Sequence, residues 1–140
     1  MMWKDSYKIG VKLIDDQHKE LFKRVSDFVQ IIRSSESWDD RLAKVEETMN
    51  FMQEYVVTHF HDEEVYQEEI GYPDIENHKK AHAKFKEGIY EYVKLFEEEG
   101  MTEEKIQEFG GKLMTWLIMH VGKVDQKIGE YAKAKGGQAQ

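Results

Sequence analysis

Cysteine is absent from this chain, and proline occurs once in 140 residues. Without thiols there can be no disulfide, thiolate nucleophile, iron–sulfur cluster or thiolate zinc site. Such a composition fits a reducing compartment, and a cytoplasmic location is expected. Net positive charge is missing too: 20 basic against 28 acidic side chains leave −8. A surface of that sign does not suit nucleic acid or an anionic membrane as a partner. No apolar run approaches the ~18 residues of a membrane span. The first residues, MMWKDSYKIGVK, lack the apolar core of a secretory signal. Strand-type alternation and low-complexity blocks are also lacking.

What is present is the balance of an amphipathic-helix protein, with 34% charged and 40% hydrophobic residues. The length is that of one ordinary domain with a core of its own. Residues 1–11 read as extended or irregular, with Trp3, Tyr7 and Ile9 free to pack over an end of the molecule. From Lys12 to about Arg33, Leu13, Ile14, Gln17 with His18, Leu21, Phe22, Val25, Phe28, Val29 and Ile32 recur at three- and four-residue steps, the mark of a core-facing helix. Ser37 is a natural N-cap for a second helix reaching Ile70. Gly71 and Pro73 break the pattern. A third helix spans about Asp74 to Glu98, and Gly100 and Thr102 punctuate the approach to a fourth ending near Ala134. Its inward stripe includes Leu113, Trp116, Leu117, His120, Val121 and Val124. Short connections make consecutive helices antiparallel. The predicted fold is all-α, an up-down-up-down four-helix bundle over residues 1–134 with an extended N-terminal segment. Residues 135–140 form a small, polar, disordered tail, and no output domain is expected beyond it.

The histidines carry the chemistry. Four of the six lie in the stretch HFHDEEVYQEEIGYPDIENHKKAH, residues 59–82. His59 and Glu63 are four apart, as are His78 and His82, so each pair shares one face of its helix. His18 interrupts an apolar stripe, where a polar group needs a hydrogen bond or a metal. His120 does the same on the fourth helix, with Asp125 beyond it. Taken singly, each of these reads more often as a core histidine or a solvated acid. Convergence changes the balance, because five histidines fall on inward stripes of four helices. His61, two residues from His59, points away and reads as a surface residue. Imidazole and carboxylate together suit iron, zinc, manganese or copper. Five imidazoles and two carboxylates exceed the needs of one ion and fit two, with the carboxylates able to bridge. One spacing is awkward. His120 and Asp125 stand five apart, about 140° around an ideal helix, so Asp125 must reach back from a flank or the helix must be distorted.

The motifs IDDQHKELF (14–22), HFHDEE (59–64), YPDIENHKKAH (72–82) and WLIMHVGKVD (116–125) together resemble the hemerythrin family in its single-domain bacterial form, over nearly the whole chain. The resemblance implies reversible dioxygen binding for storage, delivery or sensing, at a non-haem di-iron centre cycling between ferrous and ferric. His78, His82 and His120 would hold one iron, and His18 and His59 the other. Glu63, Asp125 and an oxo or hydroxo group would bridge them. Leu21, Phe60, Trp116 and Leu117 match positions that line the family's oxygen pocket, and an oxygen-requiring enzyme is one recipient to expect. A monomer, not an enzyme, is expected. The chain departs from the family at Gln67, where Met or another apolar residue is common, and Gly110, Gly111 and Gly122 fall within the fourth helix. Two other readings compete: a di-iron oxidase, peroxidase or nitric oxide reductase, and a signalling or structural module whose metal only stabilises the bundle. The ferritin-like oxidases use a Glu-x-x-His step. It is absent here, which favours the carrier.

Overall fold

The computed structural model describes residues 3–136. Among them the chain forms α1 (Lys12–Ile32), α2 (Trp38–Ile70), α3 (Ile75–Glu99), α4 (Glu103–Met119) and α5 (Gln126–Gly136). A π-helical turn at His120–Val124 joins α4 to α5. The result is an all-α four-helix bundle, its fourth rod made of α4, the π turn and α5. The helix starts and stops follow local chemistry. Ser37 Oγ accepts the Asp40 N–H at 3.1 Å, and Thr102 Oγ1 accepts the Lys105 N–H at 3.2 Å, each satisfying an N-terminal donor. Gly71 ends α2 at φ 67°, a left-handed conformation that costs glycine little. The Tyr72 N–H then folds back to Gln67 O at 2.8 Å, closing a Schellman-type cap.

The main core runs along the bundle through Phe22, Phe28, Phe60, Phe109 and Leu117, all essentially inaccessible. A smaller cluster of Ile9, Ile14, Tyr72 and Ile128 seals the end where α2 turns into α3. Gly110 lets α4 approach α1, since a Cβ there would stand 2.7 Å from Ile32 Cδ1. The N-terminal segment, with a single 3-10 turn at Asp5–Tyr7, packs as the sequence predicts. Tyr7 stacks on Phe22 at 5.3 Å, and Trp3 meets the same ring edge-on at 5.6 Å. The buried Asp15 carboxylate pins this segment by accepting the Ile9 and Gly10 N–H groups at 2.8 and 3.1 Å.

Three expectations need correction. Leu13 is 56% exposed rather than inward, because the apolar stripe begins at Ile14 and Leu13 sits on its edge at the first turn. Val124 is 38% exposed, since the π turn rotates it outward and carries Asp125 and Ile128 inward instead. Residues 135 and 136 extend α5 rather than belonging to a tail. The rest of the predicted tail, 137–140, lies outside the described residues.

Candidate metal centre

The structure gathers His18, His59, Glu63, His78, His82, His120 and Asp125 into one buried cluster, each at most 5% exposed. His61 is exposed. α1 supplies His18, α2 His59 and Glu63, and α3 His78 and His82, the pairs being one turn apart as the four-residue spacing dictates. The π turn supplies the rest. The Asp125 N–H passes over Val121 and bonds His120 O at 2.7 Å, so five residues complete a turn and both side chains face inward. π turns of this kind are rare and occur often at functional sites. Val121 O, whose α-helical partner would be that N–H, accepts the Gln126 side-chain amide at 3.2 Å. The same amide reaches Tyr7 O at 2.6 Å, and the Tyr7 ring lies against Gly122, where a Cβ would come within 3.0 Å of it. Of the two geometries open in the sequence, the helix is distorted.

Two carboxylates lie at the heart of the cluster. Glu63 Oε2 is 3.1 Å from His18 Nε2 and 3.4 Å from His59 Nε2, while Glu63 Oε1 is 3.2 Å from both His78 Nε2 and His82 Nε2. Asp125 Oδ1 is 2.7 Å from His78 Nε2 and 3.2 Å from His120 Nε2, and Asp125 Oδ2 is 3.2 Å from His18 Nε2. Two groups of donor atoms are close enough to share an ion: Glu63 with His78, His82 and His120, and Glu63 with His18 and His59. Glu63 belongs to both, and Asp125 touches members of both.

Outer contacts fix the imidazole tautomers. Gln17 Nε2 donates to Asp62 Oδ2 at 2.8 Å, which turns Gln17 Oε1 toward His59 Nδ1, also at 2.8 Å. An amide oxygen only accepts, so Nδ1 carries the proton and the neutral ring presents a bare lone pair at Nε2. His82 Nδ1 lies 2.8 Å from Glu64 Oε2 and carries a proton, so in the neutral ring Nε2 is bare as well. These bare nitrogens point at carboxylate oxygens. Lone pair against lone pair is repulsive, and a cation between them removes the conflict. The orphaned atoms within the cluster say the same: His59 Nε2, Glu63 Oε1 and Asp125 Oδ2 are buried without a well-formed hydrogen bond. The donor set thus fits metal ions.

Protonation follows from this crowding. Burial opposes charge on His18, but Asp125 and Glu63 outweigh it and raise its pKa from 6.5 to about 10. His78 feels the same balance and rises to about 9. For His59 burial prevails and lowers the pKa. Burial also works against ionised Glu63, yet hydrogen bonds from His18 and His78 hold its carboxyl well below the usual range. Asp125 is lowered too: burial and the Glu63 charge oppose ionisation, but His120 and His18 overcome them.

Of the residues predicted to line a pocket, Phe60 and Trp116 stack on histidines of the cluster, while Leu21 and Leu117 stand three residues from His18 and His120 along the chain. Leu21, Phe60 and Leu117 are fully enclosed, and Trp116 is partly so. Phe60 stacks on His82 at 3.8 Å and Trp116 on His120 at 4.4 Å, and the two aromatics approach to 5.7 Å. Sequence reasoning missed the supports Gln17, Asp62 and Glu64, although each is adjacent to a candidate ligand in the chain or one residue removed from Glu63. It also missed Phe85 as part of this wall, where it stacks on Trp116 at 3.9 Å.

Comparison with known proteins gives an independent view. The family description Hemerythrin HHE cation binding domain matches residues 9–132. The chain is 28% identical to a Bacteriohemerythrin of Clostridium acetobutylicum over 126 residues, 90% of this chain and 96% of that protein. A Bacteriohemerythrin of Stenotrophomonas maltophilia is 30% identical over 134 residues, covering 96% and 82% respectively. A Myohemerythrin of Theromyzon tessulatum is 26% identical over 125 residues, covering 89% and 88%.

Proposed function

The chain belongs to the hemerythrin family, and on that footing we propose that it binds dioxygen reversibly at a pair of iron ions, as a binding protein rather than an enzyme. In this reading His78, His82 and His120 would hold one ion and His18 and His59 the other, with Glu63, Asp125 and a solvent-derived oxo or hydroxo group shared by both. The observation that carries it is the pair of bare imidazole nitrogens, His59 Nε2 and His82 Nε2, set against the carboxylate that both ligand groups share. When bound in its ferrous form, the iron pair supplies two electrons to dioxygen and recovers them on release.

The chain's own residues do the rest. Two protein nitrogens on one side and three on the other would leave an unequal pair, and the side with His18 and His59 would be the one to take a ligand. Gln17 and Glu64 hold the His59 and His82 rings in the tautomer that offers Nε2. Phe60 and Trp116 clamp His82 and His120 by stacking. Leu21 and Leu117 add an apolar surface that keeps bulk water, and hence stray protons, from the ligand. No helix among the described residues is long and apolar enough to cross a membrane. We place the protein in the cytoplasm as a monomer that stores, delivers or senses oxygen, with an oxygen-requiring enzyme as one recipient.

The test is anaerobic loading with ferrous iron followed by cycles of oxygen and its removal, watched by absorption. A ligand-to-iron charge-transfer band that appears and disappears stoichiometrically supports the proposal. Sustained oxygen consumption with a reductant would move the protein to the di-iron enzymes.

A further inference from the structure

Gln67 is fully buried, and neither its amide nitrogen nor its amide oxygen has a hydrogen-bond partner within the protein. A carboxamide offers two donors and a two-lone-pair acceptor, so its whole capacity is unmet. Buried amides in native proteins are nearly always satisfied, by protein atoms or by an enclosed water.

Its position says what the partner must reach. Gln67 follows Glu63 by four residues on the unbroken α2, so the two side chains lie one above the other on one face. Phe60 precedes Glu63 on the same helix, which puts the aromatic wall and Gln67 on opposite sides of the carboxylate along the helix axis. Beyond Gln67 comes Tyr72, whose N–H bonds Gln67 O and whose ring edge meets His78 at 6.1 Å. The apolar end cluster of Ile9, Ile14, Tyr72 and Ile128 follows. The amide therefore stands between an end cluster of mainly apolar side chains and the centre, where the Glu63 and Asp125 carboxylates keep lone pairs beyond those that the ions would take.

We propose that Gln67 binds one internal water between its amide and these carboxylates, on the side of the centre away from Phe60 and Trp116. The water accepts from the Gln67 N–H and donates to a carboxylate oxygen. The centre then has a dry side, where a ligand enters, and a hydrated side, where a hydrogen bond draws charge from the bridging groups. The inference rests on the proposed reading of the centre, and zinc separates the two because it fills such sites without redox chemistry.

The experiment is a crystal structure of the zinc-loaded protein, with zinc counted in the same crystals, and melting of the zinc-loaded Gln67→Met variant. A water about 3 Å from a Gln67 amide atom and from Glu63 or Asp125 is expected. Gln67→Met should lower the melting temperature by about 2–4 °C, because the water loses its anchor while the volume stays filled. Two zinc ions with no water at Gln67 overturn this inference alone, as does a variant that melts higher than the wild type, the sign of a dry unpaired amide. Absence of zinc from the histidine cluster overturns the reading of the centre and this inference with it.

Discussion

Replacing Gln17 by leucine tests whether the site depends on a residue that binds no metal itself. Gln17 accepts from His59 Nδ1 at 2.8 Å and donates to Asp62 at 2.8 Å, so Asp62 sets the amide and the amide sets the imidazole. Leucine fills nearly the same space but leaves the His59 N–H buried and unmet. That penalty is about 1–3 kcal/mol, and loss of such supports commonly weakens metal binding about 10–100-fold, which is the same range. His59 sits in the smaller donor group with His18, so the loss should fall on one ion of the two. Titration of the metal-free protein against a competing chelator should show one site unchanged and one weakened about 10–100-fold. Gln17→Glu keeps an acceptor for His59 but sets a second carboxylate against Asp62, so most of the loss should be recovered only when Asp62→Asn is added to restore a donor. Glu64→Leu should weaken the other site, because Glu64 supports His82 at 2.8 Å. If Gln17→Leu binds both ions with wild-type affinity, His59 is not held by this chain of contacts and the tautomer argument fails.

Other perturbations have equally definite outcomes. His59→Ala or His82→Ala should bring iron below two per chain while His61→Ala leaves it near two, measured by elemental analysis; equal losses in all three would refute the face assignment. Leu117→Ala removes a fully buried side chain and should cost about 2–5 kcal/mol in denaturant unfolding, with faster autoxidation of the oxygenated form; an unchanged rate removes Leu117 from the water barrier. Gly111→Ala meets open space and should stabilise by up to ~1 kcal/mol, whereas Gly110→Ala collides with Ile32 and should lose that gain, as thermal melting will show. For the metal-free protein, the raised His18 and His78 pKa values contribute stability that is complete below pH 6.5 and is lost as pH climbs through about 9 and about 10. The lowered Glu63 and Asp125 values contribute stability that is present above the ordinary carboxylate range and lost on acidification. Its melting temperature should therefore fall from pH 6.5 to 10; a rise would contradict the pairing.

The legible part of the site is the part made by regular helices. Four-residue steps placed His59 with Glu63 and His78 with His82 before any coordinates, because an α-helix returns to the same face every 3.6 residues. His18 was legible as a polar interruption of an apolar stripe. Asp125 was not placed by periodicity, since its position depends on a π turn that breaks the rule. Val124 was misplaced for the same reason. Leu13 misled because a terminal residue of a stripe can lie at its edge, where no neighbouring helix covers it. Asp62 and Glu64 left only a faint trace, as acids indistinguishable in sequence from the many that face solvent, while Gln17 was legible on the inward stripe but its pairing with His59 was not.

By itself the sequence determined the helices, their antiparallel order and the inward direction of five imidazoles, because these follow from local periodicity, capping and short connections. Only the tertiary structure decided how those imidazoles meet, which tautomers they adopt and that Gln67 ends buried without a partner. Those outcomes depend on side chains distant in sequence, such as Gln17 against His59 and Tyr7 against Gly122, and on a turn held by Gln126 that no periodicity encodes.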